Sequence, residues 1–189
     1  MRISGGSAKG RKVGLRKAFV AKGEGDELRP TSSKARQAIF DILGDRVMDA
    51  DFLDLYAGTG AVGLEALSRG AKRVVFVERN NKRADMIKKF IDDFGFKDRA
   101  LVVKDRVDTF LKKMRHRFDV VFIDPPYESK ELADILPLID KANILNNDGS
   151  VIIEHSSKKK MPDAAKNIIM MKSYKYGDTA LTLYRKGAI

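Results

Sequence analysis

The chain of 189 residues contains no cysteine. That excludes disulfides, thiolate zinc sites and iron–sulfur clusters. It also excludes any reaction through a cysteine nucleophile, including the covalent route to pyrimidine C5. Histidine is nearly absent: only His116 and His155 occur, isolated from other ligand types, so no metal site is expected. No apolar run is long enough to span a membrane, and no apolar segment of signal-peptide type follows the basic N-terminus, so a soluble cytoplasmic protein is expected. Acidic residues are under-represented. Against 26 Asp and Glu stand 37 Lys and Arg, for a formal charge of +11 and a pI near 9.8. A globular chain this basic favours polyanionic partners, nucleic acid before an anionic membrane. With 43% hydrophobic and 33% charged residues it can bury a real core, and its length suits one α/β domain with a short appendage.

Residues 1–30 are Gly-rich and basic, with Arg2, Lys9, Arg11, Lys12 and Arg29 among the cations. Short apolar pieces there suggest small strands or a hairpin, and cations interleaved with flexible backbone suit contact with phosphates. A solvated terminus is the plain alternative. A helix opens at residues 30–33, carries Ala35, Ala38, Ile39 and Ile42 at helical spacing, and ends at Gly44. Lys34 and Arg36 lie off that stripe and face either a ligand or water. Strands are expected at residues 52–56, 73–78, 100–104, 118–123 and 150–155. Between them run helices with apolar residues at spacing 0, 3, 4 and 7, plus a short one over residues 61–69. This is βαβ construction and predicts a doubly wound, mostly parallel sheet. The tail, residues 168–174 and 180–185 around Gly177-Asp178, reads as an antiparallel hairpin. The basic run at residues 158–160 falls in a loop at the same end of the sheet as the candidate site.

Two motifs carry chemistry. The first joins strand one to its helix: Gly58, Gly60 and Gly63 satisfy G-x-G-x-x-G, and Glu78 ends the second strand where an acid would hold a ribose. Taken literally this is a dinucleotide fingerprint, so a nicotinamide dehydrogenase is one reading. Asp54 opposes it, because a carboxylate at the loop mouth repels a pyrophosphate. The same carboxylate favours S-adenosylmethionine, which bears an ammonium and a sulfonium and no phosphate. Asp105, after the third strand, either reaches an adenine amine or caps the next helix. The second motif is Asp124-Pro125-Pro126-Tyr127 at the carboxyl end of strand four, where open α/β sheets place ligands. Two prolines remove two N–H donors and fix two φ angles, leaving a rigid surface of acceptors beside an aromatic ring. Such a surface suits a planar group bearing an N–H₂, such as the exocyclic amine of a nucleobase. A Pro-Pro turn with Asp as a cap is the plain alternative.

The loop at residues 54–67 (DLYAGTGAVGLEAL), Glu78 and the D-P-P-Y string resemble class I S-adenosylmethionine-dependent methyltransferases acting on exocyclic amines. Leu28-Arg29-Pro30-Thr31, the helix with Arg36, and the string LEALSRGA at residues 64–71 narrow the resemblance to the RsmD-type bacterial small-subunit (16S) rRNA guanine-N2 methyltransferases. The chain departs from that pattern at Ser33, Lys34 and Gln37, where an acid, an Arg and a Glu belong. The resemblance implies a Rossmann-like, mostly parallel seven-stranded sheet with an antiparallel C-terminal hairpin. It divides the chain into a basic arm, 1–30, and a methyltransferase domain, 31–189. It implies S-adenosylmethionine held by Asp54, Tyr56, Gly58, Thr59, Gly60, Glu78 and Asp105. Catalysis falls to Asp124, Pro125, Pro126 and Tyr127, and RNA contact to Arg2, Lys9, Arg11, Lys12, Arg29, Thr31 and Arg36. Ribosomal RNA or the small ribosomal subunit is the implied partner, and a monomer is expected because the site must approach a very large substrate. Three other readings stand: an adenine-N6 methyltransferase on RNA or DNA, an inactive RNA-binding assembly factor, and the dehydrogenase.

Overall fold

The computed structural model describes residues 2–13, 33–125 and 131–187. Five parallel strands form its frame: β1 (Asp51–Leu55), β2 (Arg73–Val77), β3 (Ala100–Val103), β4 (Phe118–Ile123) and β5 (Leu145–Ser156). Helices α2 (Ala61–Ser68), α3 (Asn81–Phe94), α4 (Val107–Lys113) and α5 (Glu131–Ala142) make the crossovers, and α1 (Ser33–Leu43) precedes them. β7 (Ile168–Tyr176) and β8 (Thr179–Lys186) form the expected hairpin. With β6 the two-residue strand Ala164–Ala165, the strand order is β3-β2-β1-β4-β5-β8-β7-β6. β8 runs against both β5 and β7, so it is the reversed long strand. The sheet has eight strands where seven were expected, because the two residues of β6 (Ala164–Ala165) pair with Ile168 and Ile169 at the β7 edge.

The strands are apolar runs because helices cover both their faces. Phe52, Val74, Phe76, Val120, Phe122 and Ile152 belong to one core, with Ile39 and Phe40 of α1, Leu64 of α2 and Ile87 of α3. Leu53, Val75, Val77, Val121, Ile123 and Ile153 belong to the other, with Phe110 of α4 and Leu136 of α5. Successive residues of a strand alternate between faces. Carried one step past these core residues, the alternation sets Asp54, Glu78, Asp124 and Glu154 on the first face, at the carboxyl ends of β1, β2, β4 and β5.

Residues 2–13 dock against α1 and α2. Arg2 and Lys12 form an antiparallel bridge, and Ile3, Ala8 and Val13 are buried while Arg2, Lys9, Arg11 and Lys12 point outward. Glu65 of α2 organises the contact. Its carboxylate accepts from the Ser4 N–H at 2.8 Å, the Ser4 hydroxyl at 2.6 Å and Arg69 Nε at 3.0 Å, and pairs with Arg36 Nε at 3.3 Å. Arg36 Nη2 donates to the Arg2 carbonyl at 2.6 Å. Arg36 is only 1% exposed and Glu65 0%. This corrects the expectation that Arg36 reaches RNA: it lies off the apolar stripe of α1 yet points into an ion pair roofed by the N-terminal segment. Lys34, beside it, is exposed. Gln37 takes part as well, its Oε1 accepting from Arg69 Nη2 at 3.3 Å.

Removing one member of a buried ion network strands its partner's charge, at a cost of about 3–5 kcal/mol. Glu65→Leu is therefore expected to lower the urea-unfolding free energy by that amount. Adding Arg36→Met should recover most of the loss, as read from the same denaturation curves.

Candidate active site

Three chain segments meet where the strand order reverses between β1 and β4, the position at which open sheets form their ligand crevice. The first is the loop from β1 to α2. Tyr56, Gly58 and Gly60 all have positive φ, at 61°, 55° and 73°. Glycine adopts this freely, whereas a tyrosine held there stores on the order of 1–3 kcal/mol. Gly60 is the N-cap of α2 and has no side chain to cap it. Asp54 does that work from the strand, its Oδ2 accepting from the Gly63 N–H at 2.9 Å. An added Cβ at Gly63 would overlap the Phe76 ring, and one at Gly60 would stand 2.9 Å from Ile87 Cγ1. Both glycines thus let α2 and its entry loop lie directly on β2 and α3. Thr59, between the glycines, is buried.

The second segment follows β2. Glu78 is buried, and each of its oxygens is engaged: Oε2 accepts from the Gly58 N–H at 2.8 Å and Oε1 from the Asn80 N–H at 2.8 Å. Asn80 then caps α3, its side chain accepting from the Arg83 N–H. The third segment is Asp124-Pro125, directly after β4. Asp124 is half-buried and Pro125 buried. Pro126 and Tyr127, like Arg29 and Thr31, lie outside the described residues.

Burial dominates the electrostatics of Asp54. It pushes the carboxyl up to about 8; the Gly63 N–H opposes this, and the charges of Asp124 and Glu78 add to it. Three acids thus converge in a chain of charge +11. The amides of Gly58 and Gly63, which a dinucleotide fold turns toward pyrophosphate, are occupied here by carboxylates. That disfavours a phosphate and fits a ligand with hydroxyls and positive charge.

Asp105 stands at the same edge, beyond β3. It does not cap α4, whose N-cap is Arg106; its oxygens accept from the Arg106 N–H at 2.8 Å and face Lys113 Nζ at 3.3 Å. The basic side chains of the N-terminal segment stand elsewhere. Residues 4–8 bond Glu65 and Ser68 in the last turn of α2, the end away from the glycine loop. Arg11 stacks over the Phe94 ring at 5.2 Å. Neither histidine joins the site. His116 bonds Asp51 at the amino edge of the sheet, and His155 is fixed by the Thr182 hydroxyl at 2.7 Å. Among the described residues no group of side chains is arranged to hold a metal ion. Glu154, near the end of β5, belongs to no motif of the sequence. Its signal is an acid closing an apolar strand, as Asp124 closes β4.

A family model described as conserved hypothetical protein 95 matches residues 1–185. The chain belongs to that family. It is 31% identical to Ribosomal RNA small subunit methyltransferase D of Haemophilus influenzae, over 98% of this chain and 93% of that protein. It is 28% identical to the protein of the same name from Escherichia coli, over 100% and 91%. A solved Escherichia coli structure, yhhF, superposes with a TM-score of 0.86 at 28% identity, covering 100% of this chain and 99% of that one. Membership, fold and site chemistry agree on an enzyme of the methyltransferase class.

Asp54 yields a prediction with a definite sign. The folded chain keeps this proton long after the unfolded chain, at about 3.8, has released it. Asp54 therefore costs the ligand-free protein progressively more stability as pH rises from about 3.8 to about 8. Asp54→Asn retains an acceptor for the Gly63 N–H and removes the titration. Its melting temperature is expected to exceed that of the wild type at about pH 8 and to converge with it toward about pH 4. A difference that stays flat across this range would refute the assignment.

Proposed function

We propose that this chain transfers the methyl group of S-adenosylmethionine to the exocyclic N2 of a guanine in small-subunit (16S) ribosomal RNA. The observation that carries the reading is the placement of Asp124-Pro125 at the sheet's switch point, beside a glycine loop whose amides are closed by Asp54 and Glu78. The glycine-loop acids fit the cofactor. Glu78 would accept from the ribose hydroxyls and Asp54 would face the cationic amino-acid end, with Tyr56, Gly58, Thr59 and Gly60 lining the loop and Asp105 available to the adenine amine. When bound, S-adenosylmethionine supplies an electrophilic methyl, whose C–S bond breaks as the N–C bond forms and whose neutral thioether leaves.

The protein's task is to make the amine nucleophilic. The lone pair of guanine N2 is delocalised into the ring. Acceptance of its two protons by the Asp124 carboxylate and the Pro125 carbonyl favours a pyramidal nitrogen with its lone pair directed outward. Pro125 and Pro126 supply no competing donors and hold those acceptors in place. Fixing the amine in line with the methyl supplies much of the rate. After transfer the nitrogen loses one proton to Asp124 or to water. Tyr127 stacks on the extruded base, a contribution on the order of 1–3 kcal/mol. Arg2, Lys9, Arg11 and Lys12 on the docked segment, with Arg29 and Thr31 beyond it, contact the RNA backbone. The protein acts as a cytoplasmic monomer on rRNA or on the small subunit. No helix of the described residues is long and apolar enough to cross a membrane.

The test supplies radiolabelled S-adenosylmethionine with deproteinised small-subunit rRNA, with small subunits lacking the modification, or with duplex DNA, and identifies the labelled nucleoside. N2-methylguanosine on RNA or subunits alone is expected; N6-methyladenosine would overturn the reading. Asp124→Ala is expected to abolish turnover with cofactor affinity nearly unchanged in calorimetry. Glu78→Ala should instead weaken cofactor binding at least tenfold, and an unchanged dissociation constant would remove it from the ribose.

A further inference from the structure

We propose that Glu154 is the guanine-selecting residue of this site, its carboxylate accepting the N1–H of the target base; the inference rests on the reading given under Proposed function. The parallel register of β4 and β5 pairs Phe122 with Ile152 and Ile123 with Ile153. One step further, Glu154 stands beside Asp124, at the usual strand spacing of about 4.8 Å. Both continue the side of the sheet that carries Phe122 and Ile152, so their side chains leave on the same face. Glu154 is 5% exposed, out of bulk water, where a hydrogen bond discriminates most strongly. Its backbone pairs with Leu181 of β8, and Ile153 just before it pairs with Ile123 of β4. The neighbouring His155 ties β5 to Thr182. A group on so rigid a support can read a base.

The Watson–Crick edge of guanine presents adjacent donors, the N2 amine and N1–H. Asp124 and Pro125 take the amine, and the next donor along that edge needs a second acceptor. A carboxylate has no donor of its own and fits that position. Adenine presents an amine beside an N1 lone pair, and a carboxylate facing that lone pair is repulsive. An Asp-Pro-Pro surface alone serves either amine, so the choice between the bases falls to the residue beside it. Glu154 occupies that position.

The test uses an RNA carrying either guanine or 2-aminopurine at the nucleotide that the wild-type chain labels, presented in the form, RNA or subunit, that it accepts. 2-Aminopurine keeps the N2 amine and replaces N1–H with a lone pair. Sites built around a substrate hydrogen bond can reject the analogue lacking it by about 10⁴–10⁵-fold. The wild type is expected to prefer guanine by at least a hundredfold in kcat/KM. Glu154→Gln, whose amide can donate to the N1 lone pair, should narrow that preference at least tenfold, with cofactor affinity and melting temperature unchanged. The loss of O6 is common to both proteins and cancels in the comparison. A wild-type preference under threefold would overturn the inference without needing the variant. Equal losses on both bases in Glu154→Gln would overturn it too, since a purely structural role does not distinguish N1–H from a lone pair. In both cases N2-methylguanosine from the wild type leaves the methyltransferase reading standing. Label on adenine N6 overturns that reading and this inference together.

Discussion

The hydrogen bond from the Gly63 N–H to Asp54 joins β1, α2 and the glycine loop in a single contact. A helix that begins on a glycine has orphan amides at its N-terminus. Here a strand residue satisfies one of them from behind, so the loop must bend back over its own strand. Tyr56, Gly58 and Gly60 take positive φ to achieve that bend. Gly63 is then pressed on Phe76 so closely that no side chain fits. Burying Asp54 in this way disfavours its charge near neutral pH, and a ligand bringing positive charge to the loop would favour the ionised form there. The architecture of the loop thereby sets the kind of ligand it prefers.

α2 carries that organisation across the domain. One end forms the glycine loop; the other, through Glu65, Ser68 and Arg69, holds residues 2–13. The docked segment bonds the half of that helix away from the glycine loop, so its exposed cations and the acids at the sheet edge belong to different ends of α2. This separation resolves an apparent conflict in composition. The chain is strongly basic, yet its crevice is acid-lined. Exposed cations attract a polyanion within a Debye length of about 8–10 Å, while the acids meet only what is inserted between them.

Much of this was legible in the sequence because it depends on local pattern. The core of each parallel strand, the apolar stripes of α3, α4 and α5, the hairpin around Gly177-Asp178 and the glycine loop all follow from spacing and turn chemistry. What escaped depends on contacts between distant segments. Arg36 looks like a surface residue on a helical wheel, and becomes interior only because residues 2–13 cover it and Glu65 neutralises it. β5 begins at Leu145, five residues before the expected start, because a register shift between Phe118 and Val120 carries pairing back through the turn-like Asn146–Gly149 stretch, where Asp148 has a φ of 60°. Asp105 reads as a cap from its place before a helix, but its carboxylate turns back to the adjacent Arg106 amide and Lys113.

The two loop acids show how one composition yields two chemistries. Glu78 accepts from two backbone amides and has Arg83 within 4.0 Å, so its carboxylate is balanced within the protein. Asp54 has one amide and like charges for neighbours. The first is a fixed acceptor suited to neutral hydroxyls; the second changes state with what binds. Asp124, half-buried at the next strand end, contributes to the potential that raises Asp54, so ionisation of one disfavours ionisation of the other. A cationic ligand at Asp54 would draw that carboxyl toward its charged form and satisfy it there. The same ligand charge would offset the repulsion between Asp54 and Asp124. On the function proposed above, cofactor binding and recognition of the amine would thus be coupled electrostatically, through two carboxylates on one face of the sheet.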